Sequence, residues 1–223
     1  MAQLKQQVVV ACRILAHERL VAAFGHVSAR VPGTSRIVVS PRLAPAMATV
    51  ENLVLVDSAG AMSGGARPPL ELPIHTAIYR ELPTVGAVCR VHGEIASIFS
   101  VLGAPVRPLH FLGAILGGDV PVHEDGDLIT DDARASRMAR AIRGRCALLL
   151  RGNGQVAVGR SVAEACVRAI YLEEAARIQI RAAGLGDPRY YSADEVSAYT
   201  RVWDDPVNIE RVWNFYADAL NAR

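Results

Sequence analysis

Glu71 and His92 have residue types and surroundings suited to moving a proton. Glu71 follows Pro68-Pro69 and stands at or near the first turn of a helix. The helix dipole favours a carboxylate there by up to ~1 kcal/mol. On the residues alone it reads first as a good N-terminal residue, and second as a general acid/base. His75, four residues on, shares its helix face, as an ordinary surface pair also would. His92 ends the apolar run GAVCRVH, just before Gly93-Glu94. Strand ends at loops are where α/β proteins place functional groups, although a lone histidine can be purely structural. Arg90, two residues earlier, lies on the same strand face. A buried guanidinium needs an anion, and a substrate carboxylate or Glu71 could supply it. His26, Ser28 and Arg30 in GHVSAR, with Arg42 after Ser40-Pro41, read as loop polar groups or as an anion-holding wall.

The composition excludes several kinds of chemistry. Lys5 is the only lysine and lies at the N-terminus, so a Schiff base on a desolvated lysine, and pyridoxal phosphate with it, is excluded. Formal charge is only +2, the basic residues are scattered and aromatics make up 5%, so no nucleic-acid partner is expected. The N-terminus lacks a signal-peptide run, and no stretch reaches the ~18–20 apolar residues of a membrane span. The expected location is the cytoplasm, with no membrane partner. Cys12, Cys89, Cys146 and Cys166 have no C-x-x-C spacing and read as buried thiols. Walker, G-x-S-x-G and G-x-G-x-x-G sequences are absent.

The 223 residues, 51% of them apolar, suit one domain over 1–223. Helical spacing runs over 2–24 with Gly25 as its stop. Residues 36–40, 53–57 and 86–92 read as strands. Residues 58–69 read as a turn and loop. Helices are expected over about 70–81, 94–101 and 132–143, the last capped by Thr130-Asp131-Asp132. Residues 103–130 are rich in Gly and Pro and read as irregular, with a short strand near 120–122. CALLLRGNGQVAVG reads as a hairpin turning at Gly152-Asn153-Gly154. Ser161 with Glu164 forms a capping box for a long helix to about Ala183. Two helical stretches, 192–203 and 206–221, close the chain. Together these suggest a mixed or antiparallel sheet flanked by helices.

In order, GHVSAR, ENLVLVDSAG, PPLELPIHTAIYRELPTVGAVCRVHGEIAS and ALLLRGNGQVAVGRSVAEACVRAIYLEEAAR resemble the class II aldolase/adducin head family over about residues 5–185. The resemblance implies a three-layer α/β/α sandwich around a central, largely antiparallel sheet. It implies a homotetramer with sites between subunits, and residues 192–221 could pack on a neighbour. It also implies three histidines on a divalent metal (Zn, Mn or Mg) and a glutamate working on carbon. The glutamate position matches Glu71. The family's H-x-H reads Arg90-Val91-His92 here, and its N-H-G turn reads Gly152-Asn153-Gly154, so His92 is the only retained ligand position. Arginine does not bind a cation, and Asn is a weak neutral ligand. The expectation is no cofactor, the alternative being a metal held through His92, with His110 or His123 as substitutes. The phosphate-binding T-P-S-G turn and Ser-Ser pair read Ser40-Pro41-Arg42-Leu43 and Pro69-Leu70. That pattern is closer to the family's decarboxylase branch, which acts on hydroxylated aromatic carboxylates such as dihydroxyphthalate.

These residues, with the resemblance, point to a lyase for a small anionic substrate. Glu71 moves the proton with His92 as partner, Arg90 and Arg42 clamp the anion, and Asn153, His26 and Ser28 contact substrate. Tyr190 and Tyr191 are pocket or lid candidates. Other readings stay open: a metal-independent isomerase, dehydratase or cyclase on the same fold, an aldolase for a non-phosphorylated substrate, or a non-catalytic adducin-like module.

Overall fold

The computed structural model describes residues 1–57, 60–64 and 66–221. Ser58, Ala59 and Gly65, within the expected 58–69 loop, lie outside the described residues. The first half of the chain runs α1 (Ala2–His17), β1 (His26–Arg30), β2 (Ile37–Val39), β3 (Val54–Val56), β4 (Met62–Ser63), α2 (Leu72–Glu81), β5 (Ala87–Val91) and α3 (Glu94–Leu102). The second half runs β6 (Val122–His123), α4 (Asp132–Ala141), β7 (Ala147–Leu150), β8 (Gln155–Gly159), α5 (Val162–Ala183), α6 (Ala193–Trp203) and α7 (Pro206–Ala219). The strands form one sheet ordered β4-β3-β2-β1-β5-β8-β7-β6, with every pairing antiparallel except β6 with β7.

Alternation along the strands makes two cores, one on each side of the sheet. Ala87, Cys89 and Val91 of β5 join the core under α1, α3 and α5, whereas Val88 joins the core under α2 and α4. This is the expected three-layer α/β/α sandwich. Arg90 follows Val88's direction, toward the α2 side. β5 is central, flanked by β1 and β8, with His26 opposite Arg90 and Arg90 opposite Val156.

The structure departs from the sequence-based expectation at two places that matter to the site. The first helix stops at His17 instead of continuing toward Gly25. Arg19 adopts φ 60, Leu20 donates its N–H to Leu15 O and Arg19 donates to Ala16 O. This is a Schellman termination with arginine where glycine is usual, which hides it from the sequence. GHVSAR is then a strand, so His26 and Ser28 point the same way from β1, which rules out their reading as loop groups. Elsewhere the caps follow expectation. Asp131 accepts from Arg134 N, and Ser161 accepts from Glu164 N. The Glu164 carboxylate takes the Arg160 N–H instead of closing the box on Ser161. Helices α6 and α7 pack on their own chain, with Trp203 and Ile209 buried in the core of the α5 side. Among the described residues no helix is long and apolar enough to cross a membrane.

Candidate active site

The backbone after β5 is held on three sides, and this fixes His92. His92 donates its N–H to Leu20 O, just beyond the Schellman turn. Gly93 donates to Gln155 Oε1, and Gln155 Nε2 returns a bond to Gly93 O. The buried Glu173 of α5 accepts from Ile95 N and Ala96 N, placing a carboxylate against the N-terminus of α3.

Glu71 is the N-cap residue of α2, yet its side chain does not cap that helix. It crosses to the sheet and collects donors there. Arg90 Nη2 is 3.2 Å from Oε2, and His26 Nε2 is 3.7 Å from the same oxygen. The Asn153 amide donates to Oε1 at 3.2 Å, and Ile129 N donates to it at 3.4 Å. The Arg90 side chain is fully buried. Its Nη1 donates to Val91 O, its Nε has no partner among the described residues, and the Nη2–Oε2 contact is an ion pair without good hydrogen-bond direction. Glu71 is thus the anion this buried cation requires.

Glu71 opens on a cleft of about 550 Å³ with apolar walls that include Phe24, Leu43, Leu70 and Leu128. Its polar lining is His26, Arg42, Glu71, His92 and Asn153. Arg42 is exposed and has no ion-pair partner among the described residues. Burial works against ionisation of Glu71. The His26 ring, the Arg90 charge and the Ile129 N–H outweigh it and hold the carboxyl at about 2. Burial, reinforced by Arg90, lowers His92 to about 4, and it lowers His26 as well. At neutral pH the cleft therefore presents one carboxylate and neutral imidazoles, with a fixed cation behind the carboxylate.

The residues singled out in the sequence divide into three sets. Glu71, His92, His26, Asn153 and Arg42 line the cleft. Arg90 and Ser28 lie behind it, with no exposed surface. His110 faces Glu174 of α5, and His123 sits on the edge strand β6, so neither lines the cleft. Tyr190 stacks under Arg107, and Tyr191 stacks on Tyr199, again away from it. Sequence patterning does not single out the apolar walls or Tyr79. For Tyr79 a signal exists in the stripe of Glu71, His75 and Tyr79, spaced by four.

The three-ligand cage implied by the resemblance does not fit these residues. Its first position holds a guanidinium 3.2 Å from the glutamate. Its third holds an amide whose nitrogen faces that same carboxylate. Among the described residues no group of three His, Cys, Asp or Glu side chains is disposed to hold a metal ion.

Gly154 makes room for this arrangement. It has φ +77, and a Cβ there would strike Val91 O, stand 2.7 Å from Arg90 Nη1 and 3.0 Å from His92 Nδ1. Gly154→Ala is expected to cost about 1–3 kcal/mol of stability, the range for strained backbone, and to reduce turnover further in the protein that still folds. Urea unfolding together with rates corrected for folded fraction checks this.

Residues 6–180 match the family described as Class II Aldolase and Adducin N-terminal domain. The chain is 33% identical to the 3,4-dihydroxyphthalate decarboxylase of Terrabacter sp. over 199 residues, 82% of each chain. It is 30% identical to the 5-methylthioribulose-1-phosphate/5-deoxyribulose-1-phosphate aldolase of Rhodospirillum rubrum over 173 residues, 77% of each. The L-fuculose 1-phosphate aldolase of Glaciozyma antarctica superposes with a TM-score of 0.84 at 26% identity, covering 98% of this chain and 88% of that one. Decarboxylase and aldolase relatives together support a lyase at the level of the family. The pattern of Glu71 ahead of β5 and His92 at its end, on this sheet order and with this similarity, makes the chain a member of the class II aldolase and adducin N-terminal domain family.

Proposed function

We propose that this protein is a carbon–carbon lyase that decarboxylates a hydroxylated aromatic acid, with Glu71 carrying the proton. The carrying observation is an ionised carboxylate at the floor of an apolar cleft, backed by a buried guanidinium. Glu71 is ionised at neutral pH, its carboxyl held well below the usual carboxylate range. Glu71 therefore starts as a base, and the substrate itself charges it. A substrate carboxylate entering the cleft raises the Glu71 pKa by like-charge repulsion. Glu71 takes the proton of a phenol ortho or para to that carboxylate and hands it to the ring carbon bearing the carboxylate. The ring becomes a dienone. The bond to the carboxylate then breaks, its electron pair restores the aromatic ring as a phenolate, and carbon dioxide leaves. The phenolate recovers a proton from water.

His92, neutral in this setting, serves as the hydrogen-bond partner of the phenol oxygen. Arg42 holds a second acidic group at the mouth, where a guanidinium binds a carboxylate bidentately. Phe24 and Leu128 cover the ring faces. Arg90 steadies the negative charge on Glu71 from behind, the electrostatic task left to it once it replaces a ligand. An aldol cleavage would use the same acid/base, and the similarity to the Rhodospirillum aldolase favours it as the second reading.

Carbon dioxide release from 3,4-dihydroxyphthalate, 3,4-dihydroxybenzoate and 2-hydroxybenzoate tests the proposal. At least one should turn over with stoichiometric carbon dioxide. Absence of release from all three, with aldehyde formed from a hydroxyketone substrate, would select aldol cleavage instead. We further propose that the reaction needs no metal. Dialysis against a chelator should leave turnover unchanged, and metal content should stay well below one equivalent. Activity lost on dialysis and restored by Zn, Mn or Mg would refute this.

A further inference from the structure

Behind the cleft, four side chains continue the line begun by Glu71. His26 Nδ1 is 2.6 Å from His75 Nε2, His75 Nδ1 is 2.6 Å from Ser28 Oγ, and Ser28 Oγ is 2.8 Å from the Tyr79 hydroxyl. The geometry follows from two periodicities. His26 and Ser28 alternate onto one face of β1, while His75 and Tyr79 are four apart on the facing side of α2. His75 and Ser28 have no exposed surface. A serine beside a histidine suggests a nucleophile, but no substrate reaches this one. Whatever the row does for catalysis, it does through His26, its member that lines the cleft.

A neutral imidazole carries one N–H, so the row has two self-consistent arrangements. In one, every donor points toward Glu71: Tyr79 donates to Ser28, Ser28 to His75 Nδ1, His75 Nε2–H to His26 Nδ1, and His26 Nε2–H faces Glu71 Oε2. In the other, the directions reverse. The His26 Nε2 lone pair then faces a carboxylate, and the Tyr79 hydroxyl proton is left without an acceptor in the row. The first arrangement satisfies every member and ends on an anion. Both imidazoles stay neutral, since burial and the nearby Arg90 charge lower each of them.

We propose that His75 is a positioning residue: oriented by Ser28 and Tyr79, it locks His26 as the Nε2–H tautomer and so presents a fixed donor to the Glu71 carboxylate. The inference rests on Glu71 as the proton carrier. With Tyr79 closing the inner end, the row works as a lock on hydrogen-bond direction. Glu71 Oε2 faces the Arg90 guanidinium and the His26 ring, while Oε1 accepts from Asn153 and Ile129.

Nitrogen-15 spectra of the full-length protein with labelled histidine read the tautomers directly. His26 and His75 should both be neutral with the proton on Nε2 at neutral pH. Ser28→Ala should release the lock, mixing the His26 tautomers and lowering kcat about tenfold, the value of one hydrogen bond, with KM little changed. Tyr79→Phe, which keeps the ring, should do the same more weakly. The proposal is overturned if wild-type His26 carries its proton on Nδ1 or on both nitrogens. It is also overturned if both variants lower thermal stability yet leave the His26 tautomer and kcat unmoved, since the row is then packing alone. Should the tautomers be as stated while Glu71→Gln keeps full turnover, the proton-carrier reading fails and the lock stands.

Discussion

Glu71→Gln is expected to lower kcat by about 10²–10⁴-fold, the contribution of a positioned general acid/base, without raising KM. Glutamine keeps the length and planarity of the side chain, and its carbonyl can still accept from Arg90 or Asn153. It cannot take a phenolic proton or return one to carbon. Binding should survive and even tighten, because a carboxylate substrate no longer meets a like charge at the cleft floor. That split separates the proposed role from loss of a binding contact, which would raise KM instead. Stability changes too, since the buried Arg90 loses its counter-charge. Outright removal of one partner from a buried pair costs ~3–5 kcal/mol, and the retained carbonyl should keep the loss below that. Rates must therefore be taken at a temperature where circular dichroism shows the variant folded. Near-normal kcat under those conditions would remove Glu71 from the chemistry.

Arg90 shows what a buried guanidinium can do for a site it does not line. It pairs with Glu71 from a place with no exposed surface. In the sequence alone, Arg90 has two candidate anions, and nothing in its spacing chooses between them. The choice depends on α2 and β5 meeting across the sheet, which is tertiary information. Elements are legible where local chemistry dictates them: the strand around Val88, the hairpin at Asn153, the Asp131 and Ser161 caps. The end of α1 is not, because Arg19 adopts a left-handed conformation that glycine would have advertised. That one miss disguises β1, and with it the alternation that lines up His26 and Ser28. His75 is visible as Glu71's neighbour on a helix face. That the face is buried, and that the histidine's partners come from β1, depends on which side of the sheet α2 covers. The apolar walls are hidden for another reason: Phe24, at 77% exposure, and Leu128 are scattered loop residues with no periodicity to connect them.

The same burial that keeps the imidazoles neutral should make the fold sensitive to mild acid. The unfolded chain protonates histidine near 6.5, whereas His26, His75 and His92 resist protonation in the folded state, His92 down to about 4. Between those values the unfolded state binds more protons, so stability is fully present above pH 6.5 and is lost as pH falls. His92 alone accounts for at most about 3 kcal/mol over that window. His26 and His75 act in the same direction. Glu71 acts with the same sign in a lower window. Its folded value of about 2 lies below the unfolded 4.5, so its contribution is present above pH 4.5 and fades toward pH 2. That contribution is about 3 kcal/mol. Proton uptake by these histidines on unfolding therefore weakens the fold as the pH drops below 6.5. Urea midpoints measured from pH 8 to pH 4.5 should be flat at the alkaline end and fall steeply below pH 6.5. His92→Asn, which removes one of the three titrations and keeps a polar side chain, should make the fall shallower. A midpoint that stays level from pH 7 to pH 5 would mean the imidazoles gain their protons within the folded protein. His26 would then be a cation facing Glu71, and neither the neutral cleft nor the tautomer lock behind it could hold.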